Sequence, residues 1–94
     1  MFIISQFNVI IVRHRSRTDI LAQILEAVAD GGAAKTKIMY KAFMSYAQLK
    51  EYLIVMLSND LLNYVEGEKL FRITEKGKRF LDIYNNAGEI ILPQ

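Results

Sequence analysis

Between Lys35 and Leu57 the chain carries two helical patterns in immediate succession, "KTKIMYKA" and "YAQLKEYLIVML", parted only by Phe43-Met44-Ser45. So short a break forces two helices to cross closely, and a crossing must be lined by apolar side chains on both. Ile38, Met44 and Leu49 fit that contact. Thr36 is the expected cap of the first, short helix, which runs through Ala42 with Ile38 and Met39 inward and its lysines outward. Ser45 is the expected cap of the second, which starts at Tyr46 and reaches about Asn59. Leu49, Leu53, Met56 and Leu57 form its inward stripe, with Leu57 at the border.

The flanks set the rest of the architecture. Upstream, Ile20, Leu21, Ile24, Leu25 and Val28 recur at helical spacing over Thr18 to Ala29, opened by Thr18-Asp19 as cap and dipole partner. Asp30-Gly31-Gly32 stops that helix, and a short extended "AAK" follows. After Asp60 the hydrophobic period shortens. Leu61 to Val65 and Leu70 to Ile73 read as the strands of a hairpin around Glu66-Gly67-Glu68-Lys69. Thr74 then caps a last helix, in which Phe80, Leu81, Tyr84, Ala87 and Ile91 follow at roughly helical spacing. Gly77 inside it costs helix stability unless the backbone passes close to a neighbour there.

At 94 residues the chain is a single domain, and 52% hydrophobic against 23% charged residues sets it among folded rather than disordered proteins. Without cysteine there is no disulfide, thiolate nucleophile or cysteine metal site, and the single histidine, His14, cannot form a metal site alone. No phosphate loop or nucleophile with a base stands out, so neither an enzyme nor a cofactor is expected. The opening "MFIISQFNVIIV" is followed, not preceded, by Arg13, Arg15 and Arg17, which is the wrong order for a signal sequence. It is also too short and too interrupted to span a bilayer. A cytoplasmic chain is expected. Residues 1–13 read as an added strand or arm, or else as a disordered leader, and 14–94 as the domain proper. The arginines are either an arm that follows DNA or the charged exit of a buried strand.

Helix, helix, tight turn, helix, hairpin, helix is the order of a winged helix-turn-helix domain, mainly α with a small β-hairpin. In that architecture the third helix enters the DNA major groove and the hairpin touches the backbone or the neighbouring minor groove. Charge distribution agrees with it. The net charge is only +2, yet residues 31–50 carry Lys35, Lys37, Lys41 and Lys50 and no acid. The candidate DNA residues are Ser45, Tyr46, Gln48 and Lys50 at the third helix, with Lys35 and Lys37 as phosphate contacts. Gln48 suits adenine, and Lys50 guanine or phosphate. Tyr46, three residues before Leu49, is equally readable as half core, and the lysines as an ordinary solvated face. Lys69 and Arg72 are the wing candidates, opposed by Glu66 and Glu68 beside them.

"RTDILAQILEAV", "KTKIMYKAFMSYAQLKEYL", "DLL" before the hairpin and "ITEKGKRFLDIYN" after it resemble the small archaeal winged-helix DNA-binding proteins of the Sso ten-a family, over residues 15 to about 87. The resemblance implies double-stranded DNA binding, commonly as a homodimer, in chromatin or transcriptional roles. It also implies a long terminal helix paired as an antiparallel coiled coil. Here the sequence departs, because few residues follow Gly88 and several heptads do not fit.

The departure turns attention to Ile54 and Val55, which project outward from the third helix where charges would be expected. A homodimer surface of Ile54 and Val55 with Val9, Ile11 and Ile91 is one expectation; a thick monomeric core that takes them in is the other. A winged-helix module that binds protein rather than DNA is the alternative function.

Overall fold

The computed structural model describes residues 15–91, with side-chain surroundings through residue 87. The expected strand or arm over 1–13, with Val9 and Ile11, and the side chain of Ile91 lie outside the described residues. Four helices and one antiparallel hairpin follow in the expected order: α1 (Arg17–Val28), α2 (Lys35–Ala42), α3 (Tyr46–Ser58), β1 (Leu62–Val65), β2 (Leu70–Ile73) and α4 (Glu75–Ile91).

The helix starts are set by side chains, not all of them the expected ones. α1 begins earlier than Thr18: Ser16 is its cap, and its hydroxyl accepts from the Asp19 N–H while Asp19 accepts from the Ser16 N–H. Asp19 sits three residues after Ser16, the spacing at which a carboxylate reaches back to the cap. Thr18, inside the first turn, has no capping role. α2 likewise starts at Lys35, with Ala34 at the cap position and no side-chain cap bond, so Thr36 does not cap it. Ser45 does cap α3 as expected. Thr74 caps α4, its hydroxyl accepting from the Gly77 N–H at 2.9 Å and donating to the Asp60 carbonyl at 2.7 Å. That second bond ties the base of the hairpin to the end of α3.

One apolar core is shared by every element. Ile24, Leu25 and Val28 of α1, Ile38 of α2, Leu49 and Met56 of α3 and Leu62 of β1 are its fully buried large side chains. Leu57, expected at the edge of the inward stripe, is 39% exposed, and Ala87 is exposed too. Ile54 and Val55, at 56% and 51%, stay outside the core of the described chain. The alternative of a thick monomeric core, in which residues 1–13 and the end of the chain cover them, involves segments outside the described residues.

The extended "AAK" contributes a single sheet pairing. Ala33 exchanges both backbone hydrogen bonds with Phe71 of β2, each at 2.9 Å, so the hairpin is fastened to the turn after α1. Gly32 makes this approach with φ of +93°, and a Cβ there would stand 2.9 Å from the Phe71 carbonyl oxygen. Positive φ and lack of room both require glycine.

A second clamp joins α1 to α4. The Tyr84 hydroxyl donates to the Asp19 carboxylate, and this bond, with the Ser16 N–H, holds the Asp19 pKa below its ordinary value. The same carboxylate raises the Tyr84 pKa. Asp19, with a lowered folded pKa, adds stability that is present above the ordinary carboxylate pKa and lost as pH falls through the lowered value. Tyr84, with a raised folded pKa, adds stability present below the ordinary phenol pKa and lost as pH rises through the raised one. Tyr84→Phe is therefore expected to lower the thermal midpoint at neutral pH and to flatten its dependence on pH at both the acid and alkaline ends. Parallel profiles for the two proteins would remove Tyr84–Asp19 as a titrating clamp.

Candidate nucleic-acid interface

The turn between α2 and α3 fixes how the face is presented. Phe43 ends α2 in the left-handed region at φ 55°, a conformation uncommon for a residue with a Cβ. Two contacts hold it. Met44 turns inward to 8% exposure, and the Arg15 guanidinium donates to the carbonyls of Ala42 and Phe43 at 2.5 and 2.9 Å, with a third bond to Gln23. Arg15 thus satisfies carbonyls at the end of α2 that the helix leaves free. Of Arg13, Arg15 and Arg17, Arg15 serves the fold. Arg17 lies 5.8 Å over the Tyr52 ring, and Arg13 is outside the described residues.

Just beyond the turn, Ser45 and Gln48 bond reciprocally, the Gln48 N–H to the Ser45 hydroxyl and the Ser45 N–H to the Gln48 side-chain oxygen, both at 3.2 Å. Both side chains are exposed, but their acceptor oxygens are engaged in holding the helix start. Tyr46 is 44% exposed. The Lys35 ammonium stands 4.7 Å from the centre of its ring, a cation–π distance that draws the starts of α2 and α3 together. Lys37 and Lys50 are exposed.

The open face between α3 and the hairpin is a groove of about 650 Å³. Lys35, Lys50 and Lys69 stand around it, Tyr46 and Tyr64 contribute rings, and Leu53, Ile54, Leu57 and Phe71 form apolar wall. Among the described residues no aspartate or glutamate lines it. Lys69 reaches it from the hairpin turn with φ of 56°. Arg72, the other wing candidate, pairs with Glu68 at 2.7 Å with both side chains about half exposed, so its charge is partly answered within the hairpin.

The geometry brings together Lys35, Tyr46, Lys50 and Lys69 of the expected residues. It leaves Lys37, Ser45, Gln48 and Arg72 outside the groove lining. It also parts Ile54 from Val55: Ile54 lines the groove with Lys50 and Leu57, whereas Val55 is not part of it. Consecutive helix positions are about 100° apart, so adjacent residues face different flanks. Tyr64, Leu57 and Phe71 were missed by sequence reasoning as members of the site. The signal for two of them was present, because Tyr64 and Phe71 are register partners in the hairpin, and their rings pack 4.8 Å apart on one sheet face. Among the described residues no cluster of side chains could hold a metal ion, and no helix is long and apolar enough to cross a membrane.

Comparison with known proteins places this geometry. The solved structure of Sso10a-2, a DNA-binding protein from Sulfolobus solfataricus, superposes with a TM-score of 0.71 over 81% of each chain at 24% identity, a likeness that concerns the fold. Two uncharacterised proteins of Methanocaldococcus jannaschii are similar in sequence. MJ0287 is 29% identical over 81% of this chain and 73% of its own length. MJ0290 is 29% identical over 84% of this chain, which spans only 36% of that longer relative. The winged helix-turn-helix family profile matches residues 14–91, and with the turn, hairpin and flanking helices all in place the chain belongs to the winged helix-turn-helix family.

Proposed function

We propose that the domain binds double-stranded DNA, as a transcriptional regulator or a nucleoid-associated protein in the cytoplasm, with α3 in the major groove and the hairpin on the backbone. The observation that carries this reading is the groove itself: three lysines from three separate elements surround one open face, and no acid among the described residues lines it. Such an arrangement raises the local potential where a polyanion approaches, although the whole chain is only weakly basic. The similar fold of a protein described as DNA-binding supports the same direction.

Within this reading Lys35 and Lys37 contact phosphates at the start of α2, whose first N–H groups have no side-chain cap and favour an anion. Lys50 takes a phosphate or a guanine edge, and Tyr46 lies against the sugar-phosphate backbone. Gln48 keeps its amide N–H₂ for a base while its oxygen holds the cap. Lys69 is the principal wing contact, and Arg72 a lesser one because of Glu68. The deciding experiment is affinity for a mixed-sequence duplex across a range of salt: a DNA-binding domain loses affinity linearly in log salt. An absence of salt-sensitive binding to any duplex would leave the protein-interaction reading, which the exposed Ile54, Leu57 and Tyr64 favour.

The domain acts as a homodimer in this proposal. Val55, 51% exposed, lies off the DNA groove, and Ile83 of α4 is 69% exposed; both are available to a partner subunit. Ile54 is less suited to that contact, because pairing groove to groove would set lysine rims against each other. Val55→Glu is expected to shift sedimentation at low concentration from dimer to monomer without changing the helical content. A wild-type protein that sediments as a monomer would exclude the dimer.

A further inference from the structure

The groove holds more than phosphate recognition needs. Its cationic rim is Lys35, Lys50 and Lys69, but the α3 wall continues past Lys50 into Ile54 and Leu57, 56% and 39% exposed, opposite Tyr64 at 43%. An exposed apolar wall on a face that three lysines surround calls for an occupant that is anionic outside and apolar at the point of contact. A second copy docked through the same groove does not meet that demand, since its own lysines would oppose these. A duplex does. Its phosphates answer the rim, and in the major groove each thymine presents a C5-methyl group, the apolar handle among the base edges.

The spacing fits the same partner. Tyr46, Lys50, Ile54 and Leu57 follow one another at intervals of four, four and three along α3, so they share one flank of the helix. From Lys50 to Ile54 the helix advances about 6 Å, close to two base steps of about 3.4 Å each. A lysine at one step and an isoleucine about two steps on can therefore touch one continuous stretch of groove.

Resting on the DNA-binding reading above, we infer that Ile54, with Leu57 beside it, is a specificity determinant that reads thymine methyl groups in the major groove. The lysine rim supplies affinity that is blind to sequence, and Ile54 supplies preference for thymine at the positions it reaches.

The test compares two short duplexes of one mixed sequence, one with thymine and the other with uracil throughout, which removes the methyl groups and keeps pairing and phosphates. The full chain is expected to bind the thymine duplex about fourfold tighter per methyl contacted, the effect of burying one methyl-sized group, with the same salt slope for both. Ile54→Ala, at an exposed position, is expected to fold normally, keep the salt slope and lose the preference. Lys50→Gln is expected to weaken both duplexes and keep the preference. Equal wild-type affinity for the two duplexes, with salt-sensitive binding intact, overturns the thymine reading and leaves DNA binding standing. A preference that survives in Ile54→Ala removes Ile54 as the reader. Salt-sensitive binding to neither duplex overturns both proposals.

Discussion

Replacing Gly77 with alanine is expected to destabilise the domain by about 3 kcal/mol, toward the upper end of what forced overpacking costs. Helix propensity alone argues the other way, since alanine gains about 1 kcal/mol over glycine inside a helix. Space decides against it. A Cβ at Gly77 would stand 2.4 Å from the Leu61 carbonyl oxygen, 2.9 Å from Ile73 Cγ1 and 3.3 Å from Leu25 Cδ2. The side chains can shift, but the Leu61 oxygen belongs to backbone that accepts the Thr74 N–H at 3.2 Å. Moving it pulls apart the junction of α3, the hairpin and α4, on which the groove depends. For a domain of this size the midpoint of thermal unfolding is expected to fall by more than about 10 °C. Gly67→Ala is the control: in the exposed hairpin turn nothing lies within 4 Å of a Cβ, and its effect is expected within about 0.5 kcal/mol.

The second large effect concerns binding. Lys35→Gln, Lys50→Gln and Lys69→Gln combined remove the charge of the groove while leaving the core untouched, because all three side chains are exposed. If each lysine neutralises one phosphate, the slope of log affinity against log salt should flatten by about 2.7, three times about 0.9 per phosphate. The corresponding reversal to glutamate at all three positions is expected to reduce duplex affinity by at least about a hundredfold at low salt, since each site then repels what it held. Unfolding midpoints near that of the wild type would show the loss to be one of contact. An unchanged salt slope in the glutamine variant would mean that the duplex, if bound, is held elsewhere.

Much of the fold was legible because its signals are local. Ser45 and Thr74 cap the helices they were expected to cap, the hairpin falls at the change of period, and the Phe43 to Ser45 break is the turn. The misplaced starts have local causes too. Ser16 rather than Thr18 caps α1, and its local mark is Asp19 at the third position after it, which closes a reciprocal cap. α2 starts without any side-chain cap, so no residue type could mark it, and pairing of Ala33 with Phe71 fixes its approach instead.

The site was less legible than the fold because it is assembled across distance in sequence. Lys35, Lys50 and Lys69 were each visible as candidates, but their meeting around one groove depends on how the hairpin packs beside α3. The role of Arg15 is non-local in the same way: its carbonyl partners lie at Ala42 and Phe43, after an entire helix and turn. Gly77 shows the intermediate case. A glycine in a helix signals a close approach, but only the fold identifies the Leu61 carbonyl as what approaches. Ile54 and Val55 were paired as neighbours in sequence, and helix geometry sends them to different flanks.

That the groove between α3 and the hairpin is the face presented to DNA is tested most directly by titrating isotope-labelled protein with a short duplex and following each backbone amide by NMR. The expected result is a continuous set of shifts at Lys35, Tyr46, Lys50, Ile54 and Lys69, weakening as salt is raised, with Val55 and Ile83 little affected. Shifts confined to Val55 and Ile83, or no salt-sensitive shifts at all, would contradict it.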